Sequence, residues 1–309
     1  MNIVFLGTPE IARVCLAEIL TTKHKVLAVV TNPDRPAGRG KKLTPSPVKT
    51  FALEKGLKVL EFSNVSKEGV EIIKSLKPDA LVLVAFGQIL SPEILDIALP
   101  INLHGSLLPA LRGPSPIQSA ILNGLTESGV SVMKMAKGVD SGDVLLQEKV
   151  QILPTDNSGT LFNKMAQVGA KAICCALDII EKKQDVWTPQ NHKQATYCQM
   201  LTKENAKLDF CDTTQNIINK IRAYNPNPVA FFEINGEKFK VFSANQVTYN
   251  TNNNLPCGTV CEASPKNGLI IKTKNGFLEI LEMQAPNSKR MPAKSYLSGK
   301  KIEVGTVIE

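Results

Sequence analysis

MNIVFLGTPEIARVCLAEILTTKHKVLAVVT, residues 1–31, is the stretch that decides the fold. A β-rich run, NIVFL (2–6), leads into an amphipathic helical pattern near 10–21 and then into a second β-rich run, VLAVVT (26–31). Both runs are apolar at consecutive positions, as strands covered on both faces are. Strand, helix and strand in that order make a βαβ unit, which implies parallel pairing. The alternation continues with a helix near 47–56, LKVLE (57–61), a helix near 66–76, ALVLVA (80–85) and INLH (101–104). Strands near 129–135 and 143–150, and helical spacing from Gly159 to Lys182, complete an α/β domain with a doubly wound, mainly parallel sheet.

The pattern weakens between about Lys183 and Lys207, so 1–189 reads as one domain, 190–206 as an interdomain linker and 207–309 as a second domain. Beyond a helix at 213–223, short β-rich runs alternate with turn signals. Asn-Gly pairs at 235–236, 267–268 and 275–276 suit hairpin turns, because both residues tolerate positive φ. A small OB-like β-barrel is the expected architecture.

Composition narrows the class. With 309 residues, 43% hydrophobic and 21% charged, the chain is that of a globular protein; disorder and collagen-like repeats are excluded. No apolar run approaches the roughly 20 residues that span a bilayer. Met1 to Gly7 lacks the basic flank and long apolar core of a signal peptide. Seven cysteines without repeated spacing read as reduced thiols, so a cytoplasmic location and no metal are expected. The net charge of +8 favours a polyanionic partner. Residues 1–206 carry 23 basic and 19 acidic side chains and 207–309 carry 13 and 9, so the shorter part is about twice as densely positive.

Three segments bear chemistry. In INLHGSLLPALRGPSPIQSAI (101–121), Asn102 and His104 leave a strand end on the same side, two residues apart, and enter a Pro-rich loop. Ligands bind at the carboxyl ends of strands in open α/β sheets, so amide and imidazole can converge on one substrate atom. Taken alone, the pair is better read as a turn asparagine and a packed histidine; the surrounding residues reverse that preference. In GVDSGDVL (138–145), Asp140 occupies a glycine-bounded turn. It either makes an Asx-turn or meets His104, orients the imidazole and holds a water for proton transfer. The loop TNPDRPAGRGKKLTPSPVK (31–49) sets Arg35, Arg39, Lys41, Lys42 and Lys49 against Asp34 alone. Its prolines and glycines resist regular structure, and such a loop is either solvated or a phosphate-contacting surface. GTPE (7–10) lacks the dinucleotide fingerprint, and Cys257 and Cys261 lack partners at zinc spacing.

FLGTPE (5–10), NPDRPAGRGKKLTPSPVK (32–49), NLHGSLLPALRGPSPIQ (102–118), GVDSGDVL (138–145), ATYCQMLTKE (195–204) and RAYNPNP (222–228) together resemble the methionyl-tRNA formyltransferase family, nearly end to end. The resemblance implies a Rossmann-like formyltransferase domain and an added OB-like barrel. It also implies 10-formyltetrahydrofolate as co-substrate and formyl donor, no metal, and methionyl initiator tRNA as acceptor. Carried over by position, Asn102, His104 and Asp140 become the catalytic set, and Ser106, Leu107, Leu108 and Pro109 the folate-binding motif. AFGQIL (85–90) would line the pterin pocket, while Arg35, Arg39, Lys41 and Lys42 would contact tRNA with the barrel's basic residues. The family suggests a monomer, and the lack of a long apolar run leads to the expectation of no membrane association. The chain departs from the pattern at Asn227, where Trp is common, and at Ala110-Leu111, where a basic and a large aromatic residue often stand. A folate-dependent formyltransferase for small amines would share Asn102, His104 and Asp140 without needing the basic loop or the barrel. A non-catalytic RNA-binding protein is the remaining alternative.

Overall fold

The computed structural model describes residues 1–37, 42–250 and 255–308. Two compact units result, the first comprising residues 1–116, 127–151 and 162–198, the second 117–126, 152–161 and 199–309.

The strands of the first unit are β1 (Asn2–Gly7), β2 (Lys25–Thr31), β3 (Arg35–Ala37), β4 (Lys42–Thr44), β5 (Val59–Glu61), β6 (Ala80–Val84), β7 (Leu99–His104), β8 (Glu127–Lys134) and β9 (Val144–Gln151). Seven of them form one sheet in the order β5-β2-β1-β6-β7-β8-β9. The first five are parallel, and β8 and β9 extend the sheet antiparallel to their neighbours. From β1 the order runs outward through β2 to one edge and through β6 to the other, so β1 and β6 flank the switch point of a doubly wound sheet. Ile3 to Leu6 and Ala80 to Val84 are fully or nearly fully buried, which explains their unbroken apolar runs. Val4, Leu6, Val30, Leu81 and Leu83 pack with Phe62, Ile73, Phe86 and Ile94 in one core cluster.

Two local expectations change. The helix expected near 66–76 is two short helices, Val65–Glu68 and Val70–Ser75, divided at Gly69. There a side chain would strike the Val65 carbonyl at 2.8 Å and the Phe62 ring at 3.1 Å, so close packing claims the position. The 31–49 loop is not wholly irregular: β3 and β4 pair antiparallel, Arg35 opposite Thr44 and Ala37 opposite Lys42. An isolated two-stranded ribbon consists only of edge strands and accommodates Pro36, whose missing N–H costs no interior ladder bond.

In the second unit, helix Thr214–Tyr224 precedes β10 (Ala230–Ile234), β11 (Glu237–Val247), β12 (Val260–Ser264), β13 (Gly268–Lys272), β14 (Phe277–Gln284) and β15 (Met291–Pro292). The order β10-β11-β14-β13-β12, antiparallel throughout with β15 added to β14, forms the small OB-like β domain. Asn235 and Gly236 take φ of +51° and +76° in the β10–β11 turn, the primed geometry of a two-residue hairpin.

Candidate active site

The parallel strands β1, β2, β6 and β7 all end on one edge of the sheet, and hydrogen bonds draw the loops that follow β1, β2 and β6 together. Asn32 Nδ2 donates to the Phe86 carbonyl at 2.9 Å and to Thr8 Oγ1 at 3.0 Å. Gln88 Nε2 donates to Asn32 Oδ1 at 2.7 Å and to the Phe62 carbonyl at 2.8 Å. The GTPE, NPD and AFGQIL segments are thereby tied into one rim. In the last of these, Phe86 and Leu90 are buried while Ile89 is 94% exposed.

His104, the last residue of β7, is 6% exposed. Its Nε2 lies 3.0 Å from the Leu111 carbonyl, and its Nδ1 lies 3.5 Å from Asp140 Oδ2. Each ring nitrogen therefore faces an oxygen atom, so the ring is oriented from both sides. Asn102 lies two residues earlier on the same strand face and is half-buried; among the described residues its side chain has no hydrogen-bond partner. The expected Asn102, His104 and Asp140 grouping is thus brought to one strand end.

Asp140 sits at φ +44°, a left-handed position that short polar residues tolerate. The Gly113 N–H donates to its Oδ2 at 2.8 Å, and Gln190 Nε2 donates to the carbonyls of Asp140 at 2.9 Å and Gly142 at 2.6 Å. Gln190 is held in turn by Arg112, a residue 2% exposed that donates to Gln190 Oε1 from Nη2 at 2.7 Å and Nε at 3.1 Å. Residues 195–198 run along the loop that follows β7. The Arg112 N–H donates to the Thr196 carbonyl, the Leu111 N–H to Thr196 Oγ1 at 2.9 Å, and the Cys198 N–H to the Arg112 carbonyl at 2.8 Å. Residues 190–198, expected at the start of the interdomain linker, therefore belong to the first unit and brace its site.

The SLLP loop is equally fixed. Ser106 Oγ donates to the Ala110 carbonyl, and fully buried Ser131 donates to the Ser106 carbonyl at 2.6 Å while accepting from the Leu108 N–H at 3.1 Å. Gln147 Nε2 donates to the Leu108 carbonyl at 2.9 Å and to Ser131 Oγ at 2.8 Å. Leu107 packs over Gly129, Leu108 packs with Met133 and Val144, and the Leu108–Pro109 peptide is cis. A cleft of 300 Å³ opens beside Leu108, Pro109, Val144, Leu146, Gln147 and Pro189.

Of the basic loop, Arg35 and Lys42 are exposed, while Arg39 and Lys41 lie outside the described residues. Lys49 is taken up by Asp34 at 2.8 Å and Glu61 at 3.0 Å, which hold its ammonium above the ordinary lysine range. The sequence reading missed Ser131, Gln147 and Gln190 and left Arg112 without a role. Ser131 had a signal, since a hydroxyl inside the apolar run GVSVM needs a buried partner. Gln190 had none, being one polar residue in a polar, aperiodic stretch. Among the described residues no helix is long and apolar enough to cross a membrane, and no group of His, Cys, Asp and Glu could hold a metal ion.

Comparison with known proteins defines the class. The formyl transferase pattern matches residues 1–177, and the formyl transferase C-terminal domain pattern matches residues 200–301. A methionyl-tRNA formyltransferase from Dictyoglomus turgidum is 40% identical over 314 residues, covering 100% of this chain and 99% of the relative. The chain belongs to the formyl transferase family and, within it, to the methionyl-tRNA formyltransferases. Among solved structures, a methionyl-tRNA formyltransferase from Clostridium thermocellum shares the fold with a TM-score of 0.57 and 17% identity, over 91% of this chain and 98% of that one. HypX from Aquifex aeolicus, solved with tetrahydrofolic acid, gives a TM-score of 0.67 at 18% identity. That match covers 99% of this chain and 50% of the longer HypX chain.

Proposed function

We propose that this protein transfers the formyl group of 10-formyltetrahydrofolate to the α-amino group of methionine esterified to initiator tRNA, giving N-formylmethionyl-tRNA. The observation that carries this reading is the meeting of Asn102, His104 and Asp140 at the carboxyl end of β7 in a chain that is 40% identical to a methionyl-tRNA formyltransferase over its full length.

The folate donor supplies the activated formyl group. The residues present fit it: the 300 Å³ cleft has apolar walls in Leu108, Pro109 and Val144, and Ile89 presents an apolar side chain at the rim. Ser106, Leu107, Leu108 and Pro109 would hold it, with backbone groups of the loop as polar partners. As the neutral amine attacks, negative charge grows on the formyl oxygen. The unpartnered amide of Asn102 would donate to that oxygen directly. His104 would donate from Nε2 by exchanging the Leu111 carbonyl for the formyl oxygen. Asp140 would keep the ring oriented through Nδ1 and, directly or through a water, carry the proton from the amine to the leaving folate nitrogen. Arg35, Arg39, Lys41 and Lys42 would contact phosphates of the acceptor end, and the second unit would serve as the tRNA-binding domain. The protein would work as a cytoplasmic monomer, away from membranes.

The test is transfer from 10-formyltetrahydrofolate to methionyl initiator tRNA, with methionyl elongator tRNA and a small amino sugar alongside. Initiator-selective transfer, lost in His104→Ala, is expected. Activity on the small amine alone overturns the tRNA assignment, and turnover of folded His104→Ala at the wild-type rate overturns the role of His104.

A further inference from the structure

The row of residues that crosses the sheet from His104 has a member that the formyl-transfer reading leaves without a task. In the β7–β8 pairing His104 stands opposite Ser131, and in the β8–β9 pairing Ser131 stands opposite Gln147. Directly paired residues of antiparallel strands share a face and lie about 4.5–5.5 Å apart, so the three form one row on one face of the sheet. Ser131, at its centre, is fully buried.

A serine hydroxyl has one hydrogen to donate and two lone pairs to accept with. Ser131 uses all of them: it donates to the Ser106 carbonyl at 2.6 Å and accepts from the Leu108 N–H at 3.1 Å and from Gln147 Nε2 at 2.8 Å. One partner satisfies a buried hydroxyl. These three are the two ends of the Ser106–Leu108 turn and the side chain that also donates to the Leu108 carbonyl at 2.9 Å. The same strand face is shaped for the same segment on either side of Ser131. At Gly129 a side chain would meet Leu107 Cδ2 at 2.5 Å, so the missing one leaves Leu107 its place. Met133 packs with Leu108. At alternate positions of β8, an absent side chain, a hydroxyl and a thioether thus receive Leu107, the two turn ends and Leu108.

We propose that Ser131 is the positioning residue of the donor site. Its hydroxyl ties the Ser106–Pro109 loop to the strand beside His104, and so fixes where a folate held by that loop places its formyl carbon relative to the imidazole. The inference rests on the folate-donor reading given above. Ser131 acts through the loop and not on the folate, because its hydrogen and both lone pairs are engaged within the protein. Removing the hydroxyl takes that partner from the Ser106 carbonyl and the Leu108 N–H together, and leaves the Gln147 bond to the Leu108 carbonyl as the remaining tie to the row.

The experiment titrates tetrahydrofolate into the full-length protein by calorimetry and measures KM for 10-formyltetrahydrofolate and for methionyl initiator tRNA, in wild type, Ser131→Ala, Ser131→Thr and Gln147→Ala. Ser131→Ala should weaken tetrahydrofolate binding and raise the donor KM by about 10-fold. Ser131→Thr keeps the hydroxyl and should stay within about 3-fold of wild type, and Gln147→Ala should weaken binding by about 3-fold. The KM for tRNA should not move in any of them. Tetrahydrofolate binding by Ser131→Ala at wild-type strength overturns the proposal, as does a rise of both KM values together, which marks a general loosening of the fold. Gln147 is exposed, so Gln147→Ala carries the test if Ser131→Ala does not fold, and wild-type donor binding there overturns the proposal equally. A wild-type protein that does not bind tetrahydrofolate overturns the donor reading itself, an outcome distinct from binding that is equal in wild type and variants.

Discussion

Replacing Gln190 by alanine separates two tasks that one side chain performs. Its Oε1 accepts two hydrogen bonds from Arg112, and its Nε2 donates to the carbonyls of Asp140 and Gly142. Hydrogen bonds to a charged group contribute about 1.5–3 kcal/mol, and a buried donor left unpaired costs on the order of 1–3 kcal/mol. Among the described residues Arg112 would keep only Tyr197 Oη at 3.4 Å and His192 Nδ1 at 3.1 Å, so Gln190→Ala should lose roughly 3 kcal/mol of stability. The Asp140 turn would also lose its restraint, and a misplacement of about 1 Å costs on the order of 100-fold in turnover. Gln190→Glu divides these effects. A carboxylate accepts from Arg112 with stronger, charge-assisted bonds and should restore stability. It has no donor for the two carbonyls and sets an oxygen against each, so turnover should stay low. Urea unfolding reports the first effect, and steady-state formylation of methionyl initiator tRNA the second. Recovery of turnover together with stability in Gln190→Glu would show that Gln190 merely supports folding and would refute the positioning role.

Asn102→Ala should lower turnover by about 100- to 1000-fold as a lost oxyanion donor. Its stability should change by no more than about 0.5 kcal/mol, since the side chain is half-exposed and unbonded; denaturant titration beside kinetics checks both. Arg35→Ala and Lys42→Ala should each reduce the slope of log affinity against log salt for tRNA by about 0.7–0.9, and an unchanged slope would remove that residue from the tRNA surface. Lys23, 2.5 Å away, is the first of the groups that hold the Glu181 carboxyl at about 2, below its usual 4.5. A depressed carboxylate stabilises the fold above its unfolded value and loses that contribution as pH falls through the folded one. The thermal midpoint of Glu181→Gln should therefore lie below wild type at pH 7, and the gap should close between about pH 4.5 and pH 2.

The parallel sheet was legible because its signal is local. Unbroken apolar strands such as NIVFL and ALVLV, separated by amphipathic helices, admit few other arrangements, and the strand ends nominate Asn102 and His104 without any knowledge of neighbours. Asp140 needed an outside pointer, since an aspartate in a glycine-bounded turn has the same local pattern whether or not a histidine stands 3.5 Å away. Residues 190–198 were not legible at all. Their order comes from hydrogen bonds to residues near 80 positions earlier, such as Thr196 to Leu111 and Gln190 to Arg112, and a polar stretch braced by long-range polar contacts has no period to betray it. The β3–β4 ribbon escaped for the opposite reason: proline and glycine forbid interior strands but not edge strands, so their presence does not exclude a hairpin.

The contacts of His104 constrain how the site must work. With Nε2 on the Leu111 carbonyl and Nδ1 facing Asp140, the ring has no free donor, whereas Asn102 has one. In the proposed mechanism the first interaction with a developing oxyanion would therefore fall to Asn102, and His104 would join only if the Leu111 carbonyl yields. Leu111 is a buried residue at φ +56°, and its N–H is anchored to Thr196 Oγ1, so its carbonyl is held against the ring from outside the catalytic set. In the proposed mechanism that carbonyl would be a stand-in for the substrate oxygen, since it lies 3.0 Å from Nε2, a distance that suits a formyl oxygen. The imidazole would thus be kept at its working orientation before substrate arrives, and exchanging one oxygen acceptor for another would cost less than orienting a loose ring.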